Sequence, residues 1–260
     1  MKNESTGMRG FTLVELSIVM IIIGLLIGGV LKGHELIMNS RLASTISQVK
    51  SITAAYNTFT DMYKNIPGDI PSASVLVPNC NSSTSCFDGN GNLEVGGNVN
   101  DFPWFGIDAA IDTENTQFWK HLALADLLGG LNPSASIIGF SETHPENSIN
   151  GGFHARSGDG TPYGFLNMVG VVIVARVDPN GQWLCGIASN NPDACSLSPN
   201  QSYRIDIKMD DGQAITGSVG SISAGYQTGC GNPNQGINGP DGYARDVDRR
   251  SCDVMFRISN

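Results

Sequence analysis

The feature that most constrains this chain is an apolar run from Phe11 to Leu31 that holds one ionisable side chain, Glu15, and no proline. As a helix rising about 1.5 Å per residue, the run is about 30 Å long, the thickness of a bilayer's hydrocarbon core. It can span a membrane. Before it lies a short polar leader with Lys2 and Arg9 that ends at Gly10. A secretory signal has a shorter apolar core, with small residues at a cleavage site behind it. Here the small residue comes first, so any cut lies in front of the apolar run.

Glu15 needs an explanation of its own. An ionised carboxylate inside an apolar span costs a few kcal/mol on the gentler insertion scales, so it calls for a partner. Removing Gly10 would leave Phe11 with a free amine of pKa near 8, mostly charged at neutral pH. That amine lies four residues from Glu15 in the same helix, but an axially shifted neighbouring subunit could present its own. The expectation is the intersubunit pair. Without it, Glu15 gains only the modest attraction of a helix N-terminus for negative charge.

Arg9-Gly10, then Phe11-Thr12-Leu13-Val14-Glu15 and the apolar helix behind them, resemble the N-terminus of the type IV prepilin family, including the pseudopilins of type II secretion. The resemblance covers about the first quarter of the chain. It implies a prepilin peptidase that cuts after Gly10 and N-methylates Phe11, and a helix that is first anchor and then filament core. The implied partners are copies of this chain or other pilins and pseudopilins, an inner-membrane assembly platform and its ATPase. The implied location is the bacterial inner membrane, single-pass, with the head in the periplasm and then on a cell-surface filament. Many pilins carry a proline near the position of Lys32, and this chain does not.

Beyond Leu31 polarity changes while the helical period continues. Leu42, Ile46, Val49, Ile52, Tyr56, Phe59 and Tyr63 recur at steps of three or four among polar residues, and no proline intervenes before Pro67. One helix from about Thr12 to Tyr63 follows, with its apolar stripe packed on a globular domain. Gly24, Gly28, Gly29 and Gly33 either let helix backbones approach closely or form a tolerated flexible patch. The chain divides into a leader (1–10), a membrane or filament-core helix (11–31), an amphipathic half-helix (32–66) and a globular head (67–260).

The head reads as α+β. Asn65 to Pro71 is a turn with two prolines and a glycine, and Asn115 to Leu128 is a helix ended by Gly129-Gly130. Strands are expected at 169–177, 182–187, 203–209 and 214–219, the last entered through a hairpin turn at Asp210-Asp211-Gly212-Gln213. They form an antiparallel sheet on the helical spine. Gly225 to Asp246 is a long loop, and Cys252 to Ile258 a final edge strand. The Pro67-Gly68-Asp69 turn, the Asp88 to Asn92 loop and Trp119-Lys120-His121-Leu122 together resemble, more loosely, a subgroup of larger pilin-like proteins.

Six cysteines all lie behind the apolar run: Cys80, Cys86, Cys185, Cys195, Cys230 and Cys252. In an exported chain they read as disulfides, with local pairing (80–86, 185–195, 230–252) the simplest of 15 possibilities. Each closed loop would contribute about 3 kcal/mol in the chain-entropy model. Asp88, Asn90, Asn92 and Glu94 place oxygens at alternate positions, as calcium loops do, though Leu93 stands where such loops have glycine and Val99 cannot ligate. Asp101 or Glu114 would have to complete that shell. An Asx-Gly turn explains the same residues.

The formal charge of −9 argues against phosphate-mediated nucleic-acid binding, which needs clustered Lys and Arg. His34, His121, His144 and His154 have no metal-ligand spacing, and His154 to Asp159 reads as a turn rather than a catalytic triad. No catalytic residues stand out. The expected role is a pilin-like structural subunit; the contrasting one is a single-span adhesin or ligand-binding protein that never polymerises.

Overall fold

The computed structural model describes residues 11–96, 110–149, 151–159, 169–177, 195–222, 229–231, 240–247 and 249–259. Helix α1 runs from Leu13 to Tyr63. The chain divides into a unit ending at Arg41 and a head of residues 42–260. In the first unit the apolar side chains from Leu13 to Leu31 face outward all round, and no residue of its most apolar window is buried. It is long and apolar enough to cross a membrane. Lys32 and Glu35, just beyond, form an exposed 2.7 Å ion pair.

Within the head, α1 buries Leu42, Thr45, Val49, Ile52, Ala55, Tyr56 and Phe59, the stripe that its periodicity predicts. A short helix α2 (Ala73–Leu76) and a single 3-10 turn follow. Helix α3 spans Glu114–Leu124. It stops before Gly129-Gly130 because Asp126 takes a left-handed φ of 58°, breaking the helix earlier than the expected end at Leu128.

Among the described residues the sheet is antiparallel and four-stranded in the order β1-β2-β4-β3, with β1 at Gly152–Asp159, β2 at Val169–Arg176, β3 at Val219–Ile222 and β4 at Asp253–Arg257. The α+β class and the antiparallel sheet are as the sequence indicates, but the strands are not all the expected ones. The stretch at His154, read as a turn, is β1. Its polar composition hides a strand that full pairing with β2 from Gly152↔Arg176 to Asp159↔Val169 creates. The final strand is not an edge: β4 lies between β2 and β3, and among the described residues β1 and β3 are the two rims.

Residues 203–209 are helical, part of α4 (Pro199–Met209). Their apolar and charged alternation imitates a strand, but Ser198 and Gln201 form a reciprocal capping box with Pro199 in the first turn. Ser202, Ile205 and Asp206 then face inward at helical spacing. The expected hairpin at Asp210 to Gln213 is instead the exit from this helix, with Asp210 as C-cap and the next strand delayed to Val219. The expected strand at 182–187 lies outside the described residues.

One sheet face, carrying Phe153, Ala155, Val171, Ile173, Ala175, Val254 and Phe256, joins α1 and α3 in the main core. Val172, Val174 and Met255 form a smaller cluster on the other face, as the two-residue period of strands requires. Disulfides join Cys80 to Cys86 and Cys230 to Cys252. Cys195 is also disulfide-bonded, and Cys185 lies outside the described residues.

Candidate functional site

Two regions carry the chemistry that the sequence marks. The first is the start of α1. Gly10 and the leader lie outside the described residues, while Phe11 is 89% exposed. Thr12 caps the helix. Its hydroxyl accepts from Glu15 N at 3.2 Å, and the Glu15 carboxylate accepts from both Thr12 N and Thr12 Oγ1 at 2.9 Å. This reciprocal arrangement is the capping box of a Thr-x-x-Glu sequence, and it satisfies a backbone N–H that the first helical turn leaves open. The carboxylate therefore has polar partners within its own subunit, a role for Thr12 that reading Glu15 alone misses.

The second region is the head's knot of loops around α3. Here the three stretches singled out in the sequence meet. Gly68 takes φ 88°, and a Cβ on it would press on the Glu114 carbonyl. Its N–H donates to His121 Nδ1 at 2.9 Å, which leaves the proton on Nε2 to be donated to the Phe87 carbonyl at 3.1 Å. His121 is thus a neutral strut, and burial pushes it down to about 4 against the opposing pull of Phe87 and Asp88. Next to it Asp69, 1% exposed, plugs the glycine-rich loop. Gly91 N and Asn92 N donate to its Oδ1 at 2.7 and 3.1 Å, and Leu93 N to its Oδ2 at 2.8 Å.

Other side chains of α3 continue the pattern. The Glu114 carboxylate receives Asn90 N and Gly96 N at 3.0 and 3.1 Å. Burial raises its pKa, the two N–H bonds oppose this, and Asp69 and Glu94 add to the rise. Gln117 accepts from Phe87 N and donates to the Ser85 and Ile111 carbonyls. Buried Lys120 donates to the carbonyls of Thr84, Pro133 and Ala135 at 2.8 to 3.1 Å. Burial pushes its ammonium down to about 8, though its three carbonyl acceptors favour the charged form.

The backbone N–H groups that the glycine-rich loop turns inward surround a carboxylate, forming an anion-type nest. Asp88 accepts from Ser74 N at 2.7 Å and from its hydroxyl at 3.2 Å, while the side-chain oxygens of Asn90 and Asn92 accept from the backbone two residues on. They are Asx turns. Asp101 and Val99 lie outside the described residues. Elsewhere, Cys80, Cys86 and His121 lie close together, but both sulfurs are in a disulfide. Asp206, Asp210 and Asp211 also converge. Their oxygens receive Gly212 N and Tyr243 Oη, Ser218 N and Val219 N, and Gln213 N and Thr216 Oγ1 respectively.

His34, His121, His144 and His154 do not assemble into one site. His144 and His154 pack ring to ring at 4.7 Å, His121 lies in the loop knot, and His34 belongs to the first unit. The geometry of the knot is that of a scaffold, in which polar side chains hold loops in place.

Residues 6–31 match the family described as the prokaryotic N-terminal methylation motif, the prepilin-type cleavage and methylation signal of type IV pilins and pseudopilins. No curated protein and no solved structure shows a significant match to the chain.

Proposed function

We propose that this chain is a pilin-like structural subunit, cut between Gly10 and Phe11, N-methylated on Phe11, and stacked through α1 into a type IV pilus or a type II secretion pseudopilus. The observation that carries this reading is the methylation motif over residues 6–31, continuous with a helix whose apolar surface is uncovered from Leu13 to Leu31. An apolar surface of that size needs lipid or other helices around it. Before assembly it sits in the inner membrane with the head on the periplasmic side; afterwards neighbouring subunits replace the lipid.

Glu15 changes partners in this scheme. In the single subunit Thr12 satisfies it; in the filament the Phe11 amine of a neighbour does so with opposite charge. The prepilin peptidase does the cutting, and the assembly platform with its ATPase supplies the work. The chain acts as a building block rather than an enzyme. Intact-mass analysis of protein extracted from membranes tests this: the expected species begins at Phe11 and carries one N-methyl group. A terminus at Met1 overturns the proposal and leaves a single-span adhesin or ligand-binding protein.

A further inference from the structure

The segment 139–149 ties the sheet to α1 within the head. Towards the sheet, Phe153 N donates to the Pro145 carbonyl at 2.9 Å, Asn147 N to the Gly151 carbonyl at 2.8 Å and Asn147 Nδ2 to the Gly152 carbonyl at 3.2 Å. Towards α1, Gln48 Nε2 donates to the Glu146 carbonyl at 3.3 Å, and the hydroxyls of Ser44 and Ser148 lie 2.7 Å apart. In the middle of the segment sits His144, fully buried. Its ring centroid is 4.7 Å from that of His154 on β1, itself fully buried, and 6.3 Å from Trp119 on α3.

The polar surroundings of His144 are sparse. Nδ1 meets Thr143 Oγ1 at 2.8 Å, and Nε2 has no hydrogen-bond partner among the described residues. On its own segment, Glu142 is engaged by Asn132 and Glu146 by Ser141. From β1 the facing titratable group is His154. From α3 it is Trp119 that faces the ring, while Lys120 and His121 direct their nitrogens to backbone groups on other loops. The α1 residues that hold the segment, Ser44 and Gln48, are neutral. No carboxylate among the described residues is ion-paired with His144, so nothing there compensates an added proton.

We propose that segment 139–149 is an acid-released clasp, in which proton uptake by buried His144, packed against the His154 ring on β1, opens the segment from β1 and α1 while the rest of the head stays folded. An uncompensated charge on the buried His144 ring is costly. Burial pushes His144 down to about 3, against about 6.5 when exposed. The open form therefore binds the proton at the higher pH. Closure is at full strength above about pH 6.5 and weakens as pH falls towards about 3, the ratio of open to closed rising up to about tenfold per pH unit as His144 takes up its proton. Opening uncovers the Phe153 N–H and the Gly152 carbonyl at the rim of the sheet. The inference stands apart from the filament reading and holds whether or not the chain polymerises.

The test is amide hydrogen exchange by mass spectrometry on the full-length protein in detergent micelles, between about pH 7.5 and 4.5, corrected for intrinsic exchange. The expected result is an opening ratio in peptides covering 141–153 that climbs about tenfold per pH unit below about 6, while peptides covering Val171 to Ala175 stay protected. His144→Phe should flatten that climb. The proposal is overturned if the segment follows intrinsic exchange alone, if β2 opens with the same pH slope, or if the variant keeps the slope. Should the variant not fold, the wild-type comparison of the two regions decides by itself.

Discussion

The apolar segment of α1 and the loop knot around α3 face the same demand, that each backbone N–H and carbonyl shielded from water find a partner, and they meet it in opposite ways. From Leu13 to Leu31 the helix pairs its own backbone, and Thr12 and Glu15 cap its open end. Around α3 the loops at 66–71, 80–96 and 131–135 have little regular structure, and buried Asp69, Glu114, Gln117, Lys120 and His121 supply the partners instead. The first solution tolerates almost any apolar residue. The second depends on particular atoms at particular places.

That contrast is broken most directly at Asp69. Asp69→Ala leaves the N–H groups of Gly91, Asn92 and Leu93 without their acceptor in a buried site. Hydrogen bonds to a charged group contribute about 1.5 to 3 kcal/mol each and are not fully additive, so the expected loss is about 4 kcal/mol. The head should lose its cooperative thermal transition, followed by near-ultraviolet circular dichroism of the full-length protein in detergent, or shift it down strongly. Asp69→Asn keeps one acceptor oxygen and should fall between. A variant that melts like the wild type would mean that the loop needs no plug.

Lys120→Met sharpens the comparison with a smaller effect. Methionine fills the space of the lysine stem but leaves the carbonyls of Thr84, Pro133 and Ala135 with no donor. A loss of about 2 to 3 kcal/mol is expected, since burying the ammonium itself had a cost that the variant removes. The same melting measurement reads it. An unchanged or raised transition would show that the three carbonyls find other donors at no cost.

What the sequence made legible follows the same division. Helix α1 could be read because its signal is local and repeated over many residues, and β2 because Val169 to Val177 is dense in Val and Ile. The 80–86 and 230–252 disulfides close short loops. By contrast, β1 is strand only because β2 lies beside it, and the central place of β4 depends on spatial order, which chain order does not carry. Helix α4 was encoded locally after all, in the Ser198, Pro199 and Gln201 start signal, but the alternation from Tyr203 to Met209 points the other way. At the loop knot the Pro67-Gly68-Asp69 turn and the Asp88 to Glu94 loop stand out separately. Nothing in either says that the carboxylate of one fills the nest of the other, and alternating oxygens read equally well as metal ligands.

Thr12→Val gives the smallest effect and probes the other side of the comparison. The variant removes the hydroxyl that accepts from Glu15 N and that donates to the Glu15 carboxylate, but keeps the Thr12 N–H bond to it. Loss of an N-cap hydroxyl costs about 1 kcal/mol, a factor of about five in an opening equilibrium. Because these contacts lie within the first turn, amide exchange at Leu13 to Leu16 in micelles should quicken by about that factor while the head's melting temperature stays unchanged. If the head's transition moves as well, the start of α1 and the loop knot are energetically coupled and the division drawn between them fails. If neither changes, water or detergent head groups already satisfy that end of the helix, and Glu15 has no need of Thr12.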